Sequence, residues 1–228
     1  MREVVLDTET TGLDPATGDR IVEIGAVELL NHMPTGKTYH QYINPDRMMP
    51  KEAFDVHGLS DDFLRDKPRF KAVAGAFLAF IGDARLVIHN AAFDMKFLNA
   101  ELVAAGHATL PMTRALDTVG LSRQKFPGSP ASLDALCRRF GIDNSARVKH
   151  GALLDSEILA EVYLELIGGR QPDLSLVSGN TAATATHETW RPGVRPKPLP
   201  PRLSEQEEKA HATFIEKLGD ASVWAKRQ

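Results

Sequence analysis

Short apolar stretches of strand type alternate with segments of helical periodicity through the first 168 residues, and this alternation limits the folds open to the chain. The predicted strands are residues 4–6, 21–28, 38–43 and 85–88, and the predicted helices are residues 70–81, 93–105, 132–140 and 153–167. Strands that come first and then mix with helices are typical of a sheet covered on both faces. We therefore predict an α/β fold with a mixed sheet as the middle of three layers.

The regular pattern ends near residue 168, and the rest of the chain differs in composition. Residues 178–189 are rich in Ser, Thr, Ala and Gly, and five of the 13 residues from 190 to 202 are Pro, as in linkers. We predict a folded domain over residues 1–168, a flexible linker over residues 169–202 and a tail over residues 203–228.

The tail contains one amphipathic helical pattern. Ser204 followed by Glu207 is a capping-box signature for the start of a helix. Apolar side chains then recur on one face, at Ala210, Phe214, Ile215 and Leu218. Because a lone helix of about 15 residues is only marginally stable in water, we expect this stripe to dock on a partner.

Composition and charge exclude several classes of protein. The only cysteine is Cys137, which excludes a disulfide framework and a multi-cysteine zinc site. The longest apolar run, residues 72–82, is too short to span a bilayer, and the first residues lack a signal-peptide core. We expect a cytoplasmic protein with no membrane partner.

The charge is unevenly distributed along the chain. Of 27 basic and 30 acidic residues, 8 and 5 lie in residues 190–228, so residues 1–189 hold 19 and 25, a net charge of −6. An acidic domain attracts phosphates poorly. If this domain acts on nucleic acid, bound cations must supply much of the positive charge.

Asp7 and Glu9 lie at the end of the first predicted strand, with Thr8 between them. Residues i and i+2 of a strand point to the same face, so the two carboxylates are expected side by side. Such a pair requires a cation or a raised pKa. A strand that merely ends in polar residues remains the alternative for this motif alone.

Two later segments carry further acids. Asp94 follows Asn90 at the start of a predicted helix, where it could bind a metal or simply complement the helix dipole while Asn90 caps the helix. Asp155 lies on an apolar helical stripe, five residues after His150. An unpaired carboxylate there is costly, although a satisfied core pair remains the alternative. The stripe continues through Leu159, Val162 and Leu166.

Taken together, four acids and a histidine suggest metal-assisted phosphodiester hydrolysis. Carboxylate ligands without cysteine favour Mg²⁺ or Mn²⁺ over structural zinc. Two such ions about 4 Å apart can activate water and stabilise the leaving oxygen. A histidine whose pKa is near neutrality is suited to deprotonate that water.

These motifs resemble the DEDD exonuclease superfamily, histidine subclass. The longer strings DTETTGLDP, VHGL, VIHNAAFD, SLDALCRRFGIDNSARVKHGALLD and ILAEVYLEL are similar to the proofreading subunits of bacterial replicative DNA polymerases. The resemblance covers about residues 1–168 and implies a ribonuclease H-like fold. It also implies a 3′–5′ exonuclease that releases 5′-nucleoside monophosphates from frayed, mispaired DNA 3′ ends.

The resemblance implies roles for individual residues. Asp7, Glu9, Asp94 and Asp155 would hold two Mg²⁺ or Mn²⁺ ions, and His150 would be the general base. The residues implied to contact the 3′-terminal nucleotide are Thr10, Thr11, Leu13, Glu52, His57, Asn90 and Phe93.

The resemblance also implies protein partners. Gln171, Leu174 and Leu176 match a peptide that binds the sliding clamp, although an ordinary linker start is the alternative. Residues 203–228 lie where the family binds the catalytic (alpha) subunit of the polymerase. Whether a small accessory subunit also binds is left open.

Two other functions remain open from the sequence. An RNA-trimming member of the superfamily would carry the same catalytic motif, because that motif does not read the 2′-hydroxyl. A protein that mainly bridges clamp and polymerase is the second alternative, although a scaffold would not need Asp94 or His150.

Overall fold

The computed structural model describes residues 1–147, 149–169 and 203–218. The chain divides into two compact units, residues 1–176 and 177–228. The first unit contains a five-stranded sheet in the order β3-β2-β1-β4-β5. Its strands are β1 (Arg2–Thr10), β2 (Ile21–Leu30), β3 (Met33–Tyr42), β4 (Arg85–Ile88) and β5 (Ala115–Asp117). β2 is antiparallel to β1 and β3, whereas β4 is parallel to β1 and β5, so the predicted mixed sheet is confirmed.

Helices lie along both faces of this sheet. They are α1 (Lys51–His57), α2 (Asp61–Leu64), α3 (Phe70–Ile81), α4 (Ala91–Ala105), α5 (Thr118–Lys125), α6 (Leu133–Phe140) and α7 (Ala152–Leu166). The predictions for α3 and β4 match to the residue, and those for α4, α6 and α7 differ by one or two residues at their ends. Helices α1, α2 and α5 and strand β5 were not predicted from the sequence. α1, α2 and β5 are at most seven residues long, and α5, of sequence TVGLSRQK, has too few apolar residues to form a helical stripe.

The core has two layers, one on each face of the sheet. Leu6 and Leu86 point towards α3 and α4, where Phe77 is among the fully buried residues. Val5 and Val87 point the other way and pack with residues of α6 and α7. Cys137 is fully buried in this second layer, as expected of a core residue.

Helix α7 lies directly against the sheet at Gly25 of β2. A Cβ at this position would lie 2.1 Å from the Leu153 nitrogen and 2.3 Å from the Ala152 carbonyl oxygen, so the close approach requires glycine. The Ser156 hydroxyl donates a 2.9 Å hydrogen bond to the Gly25 carbonyl oxygen. Gly25 is the register partner of Asp7, and α7 therefore begins beside the end of β1.

In the second unit, residues 205–218 form helix α8 (Glu205–Leu218). The predicted capping box is confirmed: the Glu207 carboxylate accepts from the Ser204 nitrogen, and the Ser204 hydroxyl accepts from the Glu207 nitrogen. Phe214 and Leu218 are 58% and 47% exposed. Within the described ranges, no helix is long and apolar enough to cross a membrane.

Candidate active site

The predicted acids meet where β1, α4 and α7 approach one another. Directly opposed residues of antiparallel strands share a face, so Asp7 lies on the face of Gly25, which is the face that α7 covers. Glu9 shares that face by the two-residue period of the strand. One ligand atom each of Glu9, His150 and Asp155 lies within 4.8 Å of the others.

Asp94 joins this group from the other side of β1. It lies in the first turn of α4 and is 2% exposed. The Thr8 hydroxyl donates a 2.7 Å hydrogen bond to its Oδ1. Burial raises the pKa of Asp7, and the negative charges of Asp94, Glu9 and Asp155 raise it further, so the other three carboxylates all act on Asp7.

The carboxylates repel one another strongly. Burial, with Asp155, Glu23 and Asp94 nearby, raises the pKa of Glu9 to about 8. Burial also raises the pKa of Asp94, although the Thr8 hydroxyl opposes that change. Buried oxygen ligands that resist ionisation without a cation are the donor set of a hard divalent metal ion.

Arg147 supplies positive charge that the sequence analysis did not predict. Its Nε and Nη2 donate to Oδ1 and Oδ2 of Asp155 at 2.5 Å and 2.8 Å, and its Nη1 donates to Asp134 at 2.9 Å. Burial raises the pKa of Asp155, but hydrogen bonds from His150 and Arg147 outweigh it, so the pKa is lowered. Arg147 lies in an irregular segment with no periodicity to mark it.

His150 lies at the solvent edge of the cluster. Its side chain is 49% exposed, and its Nδ1 lies 3.4 Å from Oδ2 of Asp155 and 2.8 Å from Nη2 of Arg147. Its backbone nitrogen donates to the Val56 carbonyl oxygen of α1 at 3.3 Å. The imidazole therefore faces both solvent and the carboxylates.

A pocket of about 510 Å³ opens beside Glu9. Six of the seven residues predicted to contact a nucleotide line this pocket. They are Thr10, Thr11, Leu13, Glu52, His57 and Phe93. The seventh, Asn90, is not among the lining residues. It occupies the cap position of α4 in the left-handed conformation, and its side chain makes no cap bond within the described residues, contrary to the capping alternative.

His57 lines this pocket and is largely buried. Its Nδ1 accepts a 3.0 Å hydrogen bond from the Leu59 nitrogen. Its Nε2 is buried and has no hydrogen-bond partner of good geometry among the described residues. Burial lowers the pKa of His57, against an opposing effect of the Thr10 backbone. A neutral ring that accepts at Nδ1 carries its proton on Nε2, which makes Nε2 a donor.

The predicted clamp-binding residues Gln171, Leu174 and Leu176 lie outside the described residues. Their assignment stays a prediction.

Known proteins resemble this chain along most of its length. The family model for exonucleases matches residues 4–163. A curated relative, DNA polymerase III subunit epsilon of Rickettsia prowazekii (strain Madrid E), is 48% identical over 227 residues, covering 96% of this chain and 97% of the relative. The protein of the same name from Escherichia coli (strain K12) is 42% identical over 236 residues, covering 98% and 97%.

A solved structure shares the fold. The nuclease domain of 3′hExo, a DEDDh family member, bound to rAMP, matches with a TM-score of 0.62 and 20% identity. The match covers 73% of this chain and 91% of that one, and it confirms the predicted ribonuclease H-like architecture. The chain thus belongs to the exonuclease family and, within it, to the epsilon subunits of DNA polymerase III.

Proposed function

We propose that this chain is the 3′–5′ proofreading exonuclease of a replicative DNA polymerase, which hydrolyses mispaired 3′ ends of DNA to 5′-deoxynucleoside monophosphates. The observation that carries the proposal is the convergence of three buried acids, the half-buried Asp7 and a histidine beside a pocket. Membership in the epsilon subunits supports DNA and a polymerase complex as the biological context.

Asp7, Glu9, Asp94 and Asp155 are proposed to hold two divalent cations, Mg²⁺ or Mn²⁺. The raised pKa values of the first three support this assignment, because each acid gains stability when a cation replaces its proton. Bound cations would activate water and neutralise charge on the phosphate. They would also offset the net charge of −6 on residues 1–189.

His150 is proposed as the general base. It would accept a proton from water as the water oxygen bonds to phosphorus and the bond from phosphorus to the 3′ oxygen breaks. The products are a 5′-monophosphate and a shortened strand with a new 3′-hydroxyl. Its half-exposed ring beside Asp155 supports this role, since the base must reach both solvent and the reacting phosphate.

The pocket is proposed to hold the 3′-terminal nucleotide. Its lining includes Val56 and Phe93, which suit the face of a base, and His57, whose buried Nε2 donor has no partner of good geometry among the described residues. Leu13, at 82% exposure, offers a large apolar side chain at the pocket. We include Asn90 as a contact to the DNA strand because its side chain is not used in capping the helix.

Helix α8 and the linker are proposed to attach the nuclease to its partners. Phe214 and Leu218 would pack on the catalytic (alpha) subunit of the polymerase, and residues 171–176 would bind the sliding clamp. The exposed apolar stripe of α8 supports the first contact. The assembly would act in the cytoplasm, at the replisome.

An RNA-trimming activity is the second candidate, because the solved structure of similar fold is described with rAMP bound. Stepwise digestion of matched 3′-labelled single-stranded DNA and RNA with Mg²⁺ or Mn²⁺ tests both functions. We expect DNA to be degraded to mononucleotides and RNA to be spared. EDTA and the variants His150→Ala and Asp155→Asn should abolish cleavage, whereas Glu157→Gln, on the exposed face of the same helix, should not. Faster digestion of RNA would favour the second candidate.

Polymerase attachment needs a separate measurement. The double variant Phe214→Ser, Leu218→Ser should lose binding to the alpha subunit in size-exclusion chromatography while it still digests free single-stranded DNA. Glu216→Gln, on the same helix, is the matched control. Retained binding by the double variant would contradict the role of α8.

A further inference from the structure

The carboxylate of Asp117 binds the starts of two helices at once. Its Oδ1 accepts from the backbone nitrogens of Asn90, Ala91 and Val119 at 3.0 Å, 3.4 Å and 3.1 Å. Its Oδ2 accepts from the Gly120 nitrogen at 3.3 Å. Asp117 is thus the N-cap of its own helix, α5, and also supplies a cap to α4, which precedes it in the chain.

Helix α4 needs this cap because of the turn that leads into it. Asn90 has φ 67° and ψ 55°, and its side chain makes no cap bond with any described residue. The first backbone N–H groups of a helix have no partner within the helix. β4 and β5 are parallel and pair Ile88 with Asp117, which places the Asp117 carboxylate at the turn after β4.

A second contact joins the same two turns. Nδ1 of His89 lies 2.9 Å from the Thr118 hydroxyl oxygen, and that hydroxyl donates to the Ile88 carbonyl oxygen at 3.3 Å. The turn after β4 is therefore bound on its backbone by Asp117 and on its side chain by Thr118. Both contacts lie immediately before the helix that carries Asp94.

We propose that Asp117 is a positioning residue for the metal site, since it fixes the first turn of α4 and with it the carboxylate of Asp94. This inference rests on the proposed function. Asp94 has a second fixed point in the Thr8 hydroxyl on β1. Loss of the Asp117 cap leaves the helix start free to shift while Thr8 still binds the carboxylate. When a residue that orients a metal ligand without binding the metal is substituted, metal affinity commonly falls by about 10-fold or more.

Two substitutions separate the functions of the carboxylate. In Asp117→Ser, the hydroxyl can still cap α5 but is too short to replace the bonds to Asn90 and Ala91. In Asp117→Asn, one oxygen remains, and it can keep all three Oδ1 bonds. Asn99→Ala is the matched control, because Asn99 lies farther along α4 and binds the Leu110 backbone through two hydrogen bonds.

The test is Mn²⁺ binding by the full-length chain, followed by calorimetry, with circular dichroism as the measure of folding. We expect affinity to fall about 10-fold in Asp117→Ser and to stay near wild type in Asp117→Asn. Exonuclease rate should fall at limiting Mn²⁺ and recover at saturating Mn²⁺. Asn99→Ala should lower the melting temperature and leave the affinity unchanged.

Three outcomes would overturn the inference. Folded Asp117→Ser with wild-type Mn²⁺ affinity would show that the cap does not position Asp94. An equal loss of affinity in Asn99→Ala would show that general weakening of α4 is the cause. Absence of Mn²⁺ binding by the wild-type chain would overturn both this inference and the proposed function, and so differs from the first outcome.

Discussion

The Thr8 hydroxyl donates a buried 2.7 Å hydrogen bond to Oδ1 of Asp94, which lies 86 positions later in the chain. Thr8 lies between Asp7 and Glu9 in sequence and points to the opposite face of β1. One strand therefore carries two of the acids and, through Thr8, orients a third.

Replacement of Thr8 by Val keeps the shape of the side chain and removes the donor. A hydrogen bond to a charged group contributes about 1.5–3 kcal/mol, so we expect the exonuclease rate at limiting Mn²⁺ to fall by about 10-fold or more. Thr8→Ser keeps the hydroxyl and should retain most of the activity. Equal rates for the Val and Ser variants would contradict this role.

Gly25→Ala should damage both the fold and the site. The new methyl group would overlap the α7 backbone at Ala152 and Leu153, and overpacking of this kind costs about 1–3 kcal/mol. Because α7 must move away from β2, Asp155 should leave the cluster and activity should fall further than stability. At Gly75 of α3, a methyl group would meet no described atom within 4 Å, so Gly75→Ala should be neutral or stabilising. Thermal melts and exonuclease assays of both variants measure the difference.

The stability of the metal-free protein should decrease as pH rises towards 8. Burial raises the pKa of Glu9 from 4.5 to about 8, so the folded state binds this proton more tightly than the unfolded state does. The resulting stabilisation is fully present below pH 4.5 and is lost as pH rises to about 8. Melting temperatures in EDTA across this range should show the decline, and Glu9→Gln should reduce it. An unchanged slope in Glu9→Gln would assign the decline to other groups.

Mn²⁺ affinity should show the opposite dependence on pH. A cation must displace the proton from Glu9, so binding should strengthen as pH rises through about 8 and level off only above it, where Glu9 is mostly ionised. Calorimetry in buffers of different ionisation enthalpy would count the protons released. Binding without proton release at pH 6.5 would contradict the raised pKa.

Arg147→Ala should make folding depend on metal. The side chains of Arg147 and Asp155 are 10% and 4% exposed, and removal of one partner from a buried pair costs about 3 kcal/mol or more. In EDTA we therefore expect a lower melting temperature, and Mn²⁺ should raise it more in the variant than in wild type. Arg138→Ala, an exposed arginine of α6, is the control. Mn²⁺ would then supply the positive charge beside Asp155 that Arg147 supplies in wild type. Equal effects of Mn²⁺ on the melting temperatures of wild type and Arg147→Ala would contradict this explanation.

The sequence was sufficient to predict four of the five strands, helices α3, α4, α6 and α7, and the four acids that meet beside β1. Strand and helix periods are strong in these segments, and Asp155 is the one acid on an otherwise apolar helical stripe. It was not sufficient for Arg147, whose partners Asp134 and Asp155 lie on two different helices that only folding brings together. Asp117 was missed for a similar reason. It caps a turn 27 residues earlier, and capping signatures in a sequence describe only a residue's own helix.

Because α7 packs against Gly25, the site residues of the earlier elements are synthesised before the helix that completes the site. β1 and β2 are made early in translation, whereas α7, which lies against Gly25 and carries Asp155, is the last helix of the sheet-containing unit to be synthesised. A nascent chain therefore displays Asp7, Glu9 and Asp94 without the fourth acid or His150. If these residues form the proposed catalytic site, a nascent chain cannot hydrolyse nucleic acid before α7 has been synthesised and has packed against Gly25.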